Sequence, residues 1–103
     1  WESAQAVVRE LPDEPWGRRV VGVLANEMVQ RDPARAQVVL QARPGGHLVS
    51  VRAPRGSVGW ADGLCRRFGG GGRAAAAGID CLRDEQVPEF LAALGQTDWL
   101  SPM

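Results

Sequence analysis

Four consecutive glycines, Gly69–Gly72, followed directly by Arg73, form the segment best suited to chemistry in this sequence. Glycine tolerates positive φ and has no Cβ to keep a ligand away from the backbone. Successive backbone N–H groups can then converge on an anion, and a guanidinium offers a planar fork to phosphate oxygens. A flexible linker is the alternative, but the run is short and lies between a predicted helix and an apolar segment. The pattern therefore predicts an anion-binding loop.

Two known phosphate-binding motifs match this loop only in part. A P-loop requires Lys followed by Ser or Thr, and the sequence contains no Lys. Gly70, Gly72 and Ala75 formally match the dinucleotide fingerprint G-x-G-x-x-A. That fingerprint must follow a strand and open a helix, whereas a helix is predicted before these glycines. A dinucleotide-binding domain is therefore a disfavoured alternative.

The other reactive side chains are few. His47 is the only histidine and lies in a Pro-Gly-Gly turn, which makes it a poor catalytic base. Cys65 precedes Arg66 and Arg67, whose charges would lower the pKa of its thiol. Two cysteines (Cys81 is the other) and one distant histidine do not supply a zinc site, although the count does not exclude a site built from carboxylates. Such cysteine usage is typical of reduced thiols in a cytoplasmic protein. We predict neither a metal site nor a catalytic residue in this sequence.

Charge is balanced overall but not locally. Twelve basic and twelve acidic residues give a formal net charge of zero. Between Arg43 and Arg73, however, six arginines stand against the single acid Asp62, so this segment carries +5 and the remainder −5. This distribution predicts a local basic cleft that would hold a short anion rather than coat a long duplex.

The elements that must position these residues indicate one α/β domain over residues 1–103, with a mixed β-sheet in the order β-α-β-β-α-β-α. A short strand is expected at 5–11, a helix from near Trp16 to Pro33, and a hairpin of strands at 36–42 and 47–53. A helix at 58–68, the glycine loop, an apolar strand and a helix at 83–94 follow, with a tail at 97–103. The first helix should bury the apolar side chains Val20, Val21, Leu24 and Met28.

Three segments together resemble one known family. They are Phe68–Ile79 with the glycine loop, the strand Val49–Arg52, and Trp16 with Val20–Ala25 in the first helix. The resemblance is to the DHH-associated domain, the C-terminal domain of RecJ-like exonucleases, nano-RNases and related phosphatases of the DHH phosphoesterase superfamily. It spans roughly residues 7–94. The family loop reads Gly-Gly-Gly-His, and Arg73 stands where its histidine would be.

The resemblance implies a substrate-binding role beside a preceding catalytic domain of the same parent chain, which would hold two divalent metals, usually manganese. This sequence lacks the Asp-His-His motif and should not hydrolyse a substrate alone. Arg73 cannot ligate a metal or carry a proton near neutral pH, although it can clamp phosphate. The residues implied to hold a phosphate, a nucleotide or a nucleic-acid end, with Arg55 added from the arginine-rich segment, are Ser50, Arg52, Arg55, Gly69, Gly70, Gly71, Gly72 and Arg73.

A non-catalytic interaction or dimerisation module is the second hypothesis, because apolar Trp1, Trp99 and Leu100 lie at the two ends of the chain. The sequence begins with Trp, so we expect it to be part of a longer protein. No apolar run approaches the roughly 18 residues that a membrane span needs, and no signal peptide is recognisable, so we expect a cytoplasmic protein without a membrane partner. DNA, RNA, a cyclic dinucleotide, a small nucleotide and polyphosphate all remain open as substrates.

Overall fold

β-Branched and alternating apolar segments form the centre of the sheet, as their pattern predicts. The computed structural model describes residues 1–14 and 18–100, so the predicted start of the first helix near Trp16 lies outside the described residues. The elements are β1 (Ala6–Leu11), α1 (Arg18–Arg31), β2 (Ala36–Arg43), β3 (Gly46–Arg52), α2 (Ala61–Arg66), β4 (Gly71–Gly72), β5 (Ala76–Arg83) and α3 (Val87–Gln96), with a 3-10 turn at Asp84–Gln86.

The five strands form one mixed sheet in the order β1-β2-β3-β5-β4. β1 and β2 are parallel and joined through α1, whereas every other neighbouring pair is antiparallel. The predicted α/β class is confirmed. The predicted hairpin is β2–β3, whose ladder closes at Arg43 and Gly46 around Pro44–Gly45, and Gly45 adopts φ 79°. The strand order along the chain differs from the prediction by the short β4, which the glycines themselves form.

Apolar side chains are buried on both faces of the sheet, and each face packs against a different set of helices. On one face, apolar side chains such as Val38, Leu40, Val49 and Val51 belong to the main core, which also contains Phe90 of α3. On the other face, α1 packs Val21, Ala25 and Met28 against Val39 and Leu48. α1 lies over β2 and β3, so the adjoining part of the sheet at β5 borders a cleft.

One apolar residue of α1 is wrongly placed by the sequence pattern. Val20, predicted to be buried, is half-exposed, as is Val23. The buried stripe runs through Val21, Ala25 and Met28 at spacings of four and three, and Val20 is rotated about 100° away from it. The solvent face of α1 therefore carries two half-exposed valines, three positions apart.

The second and third helices begin later than predicted. α2 starts at Ala61 rather than 58 because Gly59 and Trp60 both adopt positive φ, of 108° and 88°. This bend lets the Ala61 N–H reach the carbonyl oxygen of Ala74, at 3.0 Å. α3 begins at Val87 rather than 83 because β5 continues to Arg83 before the 3-10 turn.

The segment predicted as a tail is partly built into the core. Trp99 is only 4% exposed, and its carbonyl oxygen accepts a hydrogen bond from the Val58 N–H at 3.0 Å. Leu100, by contrast, is 79% exposed, and residues 101–103 lie outside the described part of the chain. None of the described helices is long and apolar enough to cross a membrane.

Candidate phosphate-binding cleft

A cleft of about 540 Å³ lies on the sheet face beside α1. β3 and β5 form its floor, α1 borders it at Gly22, and the segment from Gly69 to Arg73 forms the opposite wall. The residues around it are Gly22, Leu48, Val49, Ser50, Arg52, Gly69, Gly70, Gly71, Arg73, Ala76, Ala77, Gly78, Ile79 and Asp80. We refer to it as the first cleft. The Ser-x-Arg strand and most of the glycine segment predicted from the sequence meet here.

Arg52 is held at the cleft by α1. Strand alternation directs Ser50 and Arg52 to the face opposite Val49 and Val51. The Arg52 Nε donates to Asn26 Oδ1 at 2.6 Å, and Nη2 donates to the carbonyl oxygen of Gly22 at 3.4 Å. Burial, followed by the nearby charge of Arg73, lowers the pKa of the Arg52 guanidinium. The group still stays charged at neutral pH, because the ordinary pKa of an arginine lies far above neutrality.

Arg73 reaches the same cleft from the turn between β4 and β5. Its N–H donates to the carbonyl oxygen of Ala76 at 2.8 Å, and the Ala76 N–H donates back at 3.2 Å, so Ala74 and Ala75 form a two-residue turn. Two cationic side chains thus face one cleft. Asp80 of β5 also lines it and supplies one negative charge, which leaves a net charge of +1 on the lining residues.

The glycine run is not the open nest of amides that the sequence predicts. The Gly69 and Gly70 N–H groups cap α2, donating to the carbonyl oxygens of Arg66 (3.2 Å) and Cys65 (2.9 Å). Gly71 and Gly72 then pair with β5. The prediction of converging N–H donors is therefore wrong for Gly69 and Gly70, because ending a helix and starting a strand consumes them.

What the glycines provide instead is close backbone approach. A Cβ on Gly70 would overlap the carbonyl oxygen of Gly78, and one on Gly72 would lie 2.6 Å from the Cα of Ala77. Gly72 also has φ 144°. A Cβ on Gly71 would meet no atom within 4 Å. Gly69, Gly70 and Gly71 line the first cleft, whereas Gly72 serves the β4–β5 pairing beside it.

The glycines also do not form a dinucleotide fingerprint. They follow α2 and lead into β5, whereas the fingerprint opens a helix. Arg55, predicted with the phosphate-binding residues, lines a neighbouring second cleft instead. His47 lies at the start of β3, where its Nδ1 is 3.4 Å from Asp84 Oδ1, and does not line the first cleft.

Cys65 does not have the lowered pKa expected from the arginines that follow it in the sequence. The side chain is fully buried in the main core, and this burial, followed by Asp62, raises the pKa of its thiol to about 12. Arg52 acts in the opposite direction but does not outweigh burial. The adjacent Arg66 and Arg67 are exposed, and Arg66 pairs with Asp62 at 3.2 Å. The expected lowering of the pKa is wrong because sequence neighbours on a helix point in different directions.

Three residues of the site are not predicted by the sequence pattern. Gly22 and Asp80 line the first cleft, and Asn26 positions Arg52 together with Gly22. Gly22 and Asn26 stand four apart on α1, off the buried stripe, which is the signal that could have placed them beside Arg52. Among the residues that the structure describes, no three His, Cys, Asp or Glu side chains cluster closely enough to hold a metal ion.

Comparison with solved structures places the fold among known domains. The chain is similar to the C-Ala domain of Aquifex aeolicus alanyl-tRNA synthetase, with a TM-score of 0.71 and 17% identity over 86% of each chain. It is also similar to the pGpG-specific phosphodiesterase PggH from Vibrio cholerae, with a TM-score of 0.63 and 17% identity. The region matched to the phosphodiesterase covers 91% of this chain but only 33% of the phosphodiesterase chain. No family model and no curated protein matches the chain. At this identity the similarity shows the fold alone.

Proposed function

We propose that the first cleft binds the phosphate of a nucleotide or of a nucleic-acid end. The observation that carries the proposal is the meeting of Arg52 and Arg73 at one cleft, close enough for the charge of Arg73 to lower the pKa of Arg52. A bound anion would relieve this repulsion, because each guanidinium could donate two hydrogen bonds to its oxygens. Ser50 supplies a hydroxyl on the same floor.

We also propose that this binding serves a phosphoesterase whose catalytic domain, with two divalent metals such as manganese, is a separate part of a longer protein. Two findings support it. The fold matches about a third of a phosphodiesterase chain, and the Ser-x-Arg strand meets the glycine segment, as the DHH-associated resemblance implies. Arg73 would clamp phosphate in place of the family's histidine. The fold's occurrence in alanyl-tRNA synthetase supports a nucleic-acid end as one form of ligand.

Removing Arg73 tests the proposal. We expect the chain to bind a 5′-phosphorylated trinucleotide and Arg73→Ala to weaken that binding at least tenfold, since hydrogen bonds to charged groups contribute about 1.5–3 kcal/mol. Arg73 is exposed, so the variant should fold normally. Arg19→Ala is the matched control, because it removes an equal charge from an exposed position outside the cleft. Titration calorimetry measures the affinity of both variants for the trinucleotide. Equal affinity of Arg73→Ala and the unaltered chain would refute the role of Arg73.

Removing the acidic group of the first cleft should have the opposite effect. Asp80→Asn deletes the carboxylate that Asp80 contributes to the lining of the cleft while keeping the side-chain shape. We expect about threefold tighter binding of the phosphorylated trinucleotide at low salt, since an interaction between solvent-exposed charges typically contributes about 1 kcal/mol or less. The gain should shrink at 0.5 M salt because screening shortens the reach of charges. Weaker binding in Asp80→Asn would contradict an anion site.

An interaction module remains the second hypothesis. The structure removes part of its basis, because Trp99 is buried within the domain. Trp1 and Leu100 are exposed, and Val20 and Val23 add two exposed valines on α1. Sedimentation of the chain measures whether these groups support a dimer.

A further inference from the structure

A second cleft, of about 340 Å³, adjoins the first. The two are contiguous because Arg52 and Ala76 line both. The second cleft lies between the later turns of α1, the loop after β3 and the two-residue turn that follows Arg73. Its volume falls within the range of about 300–1,000 Å³ that is usual for small-molecule sites.

The two clefts differ in chemistry. The second is lined mainly by aliphatic residues: Val29, Ala53, Pro54, Val58, Ala74, Ala75 and Ala76. Its charged lining residues are Arg52 and Arg55, and no acidic side chain is among the described residues that line it. The first and second clefts together form one groove. This groove has a polar, cationic end at Arg73 and an apolar end with a cationic rim at Arg55.

A ligand that fits this groove is charged at one end and apolar at the other. We propose that the second cleft receives the base of a nucleoside monophosphate whose phosphate lies against Arg52 and Arg73 in the first cleft. This inference rests on the proposed function and adds the part of the ligand that gives selectivity. Arg52 stands at the junction, where the phosphate must lie for the base to reach beyond it.

The apolar walls and one amide account for recognition of a heterocycle. Val29 of α1 and Pro54 of the loop offer aliphatic surface against which the faces of a base would lose contact with water. Asn26 lines the same cleft and, while its Oδ1 accepts from Arg52, its Nδ2 has two N–H donors for the edge of a base. A polyphosphate would gain nothing from aliphatic walls, so it fits this groove less well.

The test compares adenosine 5′-monophosphate with ribose 5-phosphate, which carries the same phosphate and sugar without the base. We expect the nucleotide to bind about tenfold more tightly, the equivalent of ~1.4 kcal/mol. Val29→Phe fills the second cleft and should abolish this difference while leaving ribose 5-phosphate unaffected. Val23→Phe is the matched control, since Val23 is a half-exposed valine of the same helix that lines neither cleft.

The outcomes separate this inference from the proposed function. If neither these compounds nor the phosphorylated trinucleotide binds, both proposals fall. If only the trinucleotide binds, or if both compounds bind equally to the unaltered chain, only the base site falls, whether or not Val29→Phe folds. Tripolyphosphate binding more tightly than the nucleotide would also overturn it. Binding of a 5′-phosphorylated triadenylate distinguishes a free nucleotide from a nucleic-acid end as the ligand. Loss of triadenylate binding in Val29→Phe supports the base site. Unchanged binding of both adenosine 5′-monophosphate and the triadenylate in Val29→Phe contradicts the base site.

Discussion

At the scale of single residues, the surroundings of Arg52 and of Cys65 in the fold determine what each side chain can do. Arg52 faces the first cleft because it alternates with buried Val51, and it is held there by Asn26 and Gly22, twenty-six and thirty positions earlier. Cys65 has two arginines next to it in sequence, yet burial dominates its ionisation. The placement of Arg52 could be predicted because it depends on strand alternation. The ionisation of Cys65 could not, because it depends on the direction in which a helical side chain points.

The buried thiol of Cys65 should make the free energy of unfolding depend on pH under alkaline conditions. Its thiol has a pKa of about 12 in the folded chain against 9.0 as the reference value, so the folded state keeps the proton longer. The contribution of the protonated Cys65 thiol to the free energy of unfolding is complete below pH 9 and is lost as the pH rises from about 9 towards 12. The sequence contains neither Lys nor Tyr, so few other groups titrate in this range.

We expect the free energy of unfolding to fall by about 2 kcal/mol between pH 8 and pH 10.5 in the unaltered chain, following 1.36 kcal/mol for each pKa unit. Cys65→Ala should show most of this decline removed, whereas Cys81→Ser should retain it because Cys81 is exposed. Urea unfolding followed by circular dichroism at each pH measures the difference. A decline of equal size in Cys65→Ala would assign it to other groups.

At the scale of elements, the glycine run joins a helix to a hairpin rather than forming a loop. We expect Gly70→Ala to lower the free energy of unfolding by about 3 kcal/mol, because its Cβ would overlap the carbonyl oxygen of Gly78. Gly71→Ala is the matched control: its Cβ would meet no atom within 4 Å, so stability should change by less than about 0.5 kcal/mol. Equal stability of the two variants would refute the role assigned to close backbone approach.

The elements with strong periodic patterns were predictable, and those set by contacts distant in sequence were not. The hairpin β2–β3 was visible in its β-branched residues and its Pro-Gly-Gly turn. The two-residue strand β4 was not, because a glycine pair has no strand pattern and is extended only by pairing with β5. β5 itself runs on to Arg83 through a register shift opposite His47 and Val49, which no local signal marks.

At the scale of the whole molecule, the site exists because the helices cover the sheet unevenly. α1 lies over β2 and β3, so the open surface at β5 becomes the floor of the first cleft. The balanced net charge is thus compatible with a small cationic site, since two arginines of one segment, Arg52 and Arg73, meet where the sheet is uncovered. The distribution of charge along the sequence predicted the local excess, but only the topology brings Arg52 and Arg73 together.

The end of the described chain is part of this architecture rather than an appendage. Trp99 fills space in the main core and joins the loop before α2 through the hydrogen bond from the Val58 N–H. Val58 also lines the second cleft, so the anchoring of Trp99 supports one wall of the groove. The indole Nε1 is buried without a hydrogen-bond partner among the described residues, so its contribution is packing.

We therefore expect Trp99→Ala to lower the free energy of unfolding by about 3–5 kcal/mol, the usual cost of removing a buried Trp or Phe side chain. Such a loss is a large part of the total stability of a domain this small, so the variant should be partly unfolded at 37 °C. Leu100→Ala, one position further and 79% exposed, should change stability by less than about 0.5 kcal/mol. Thermal unfolding of the two variants measures the contrast, and equal midpoints would show that the segment beyond α3 is not part of the folded core.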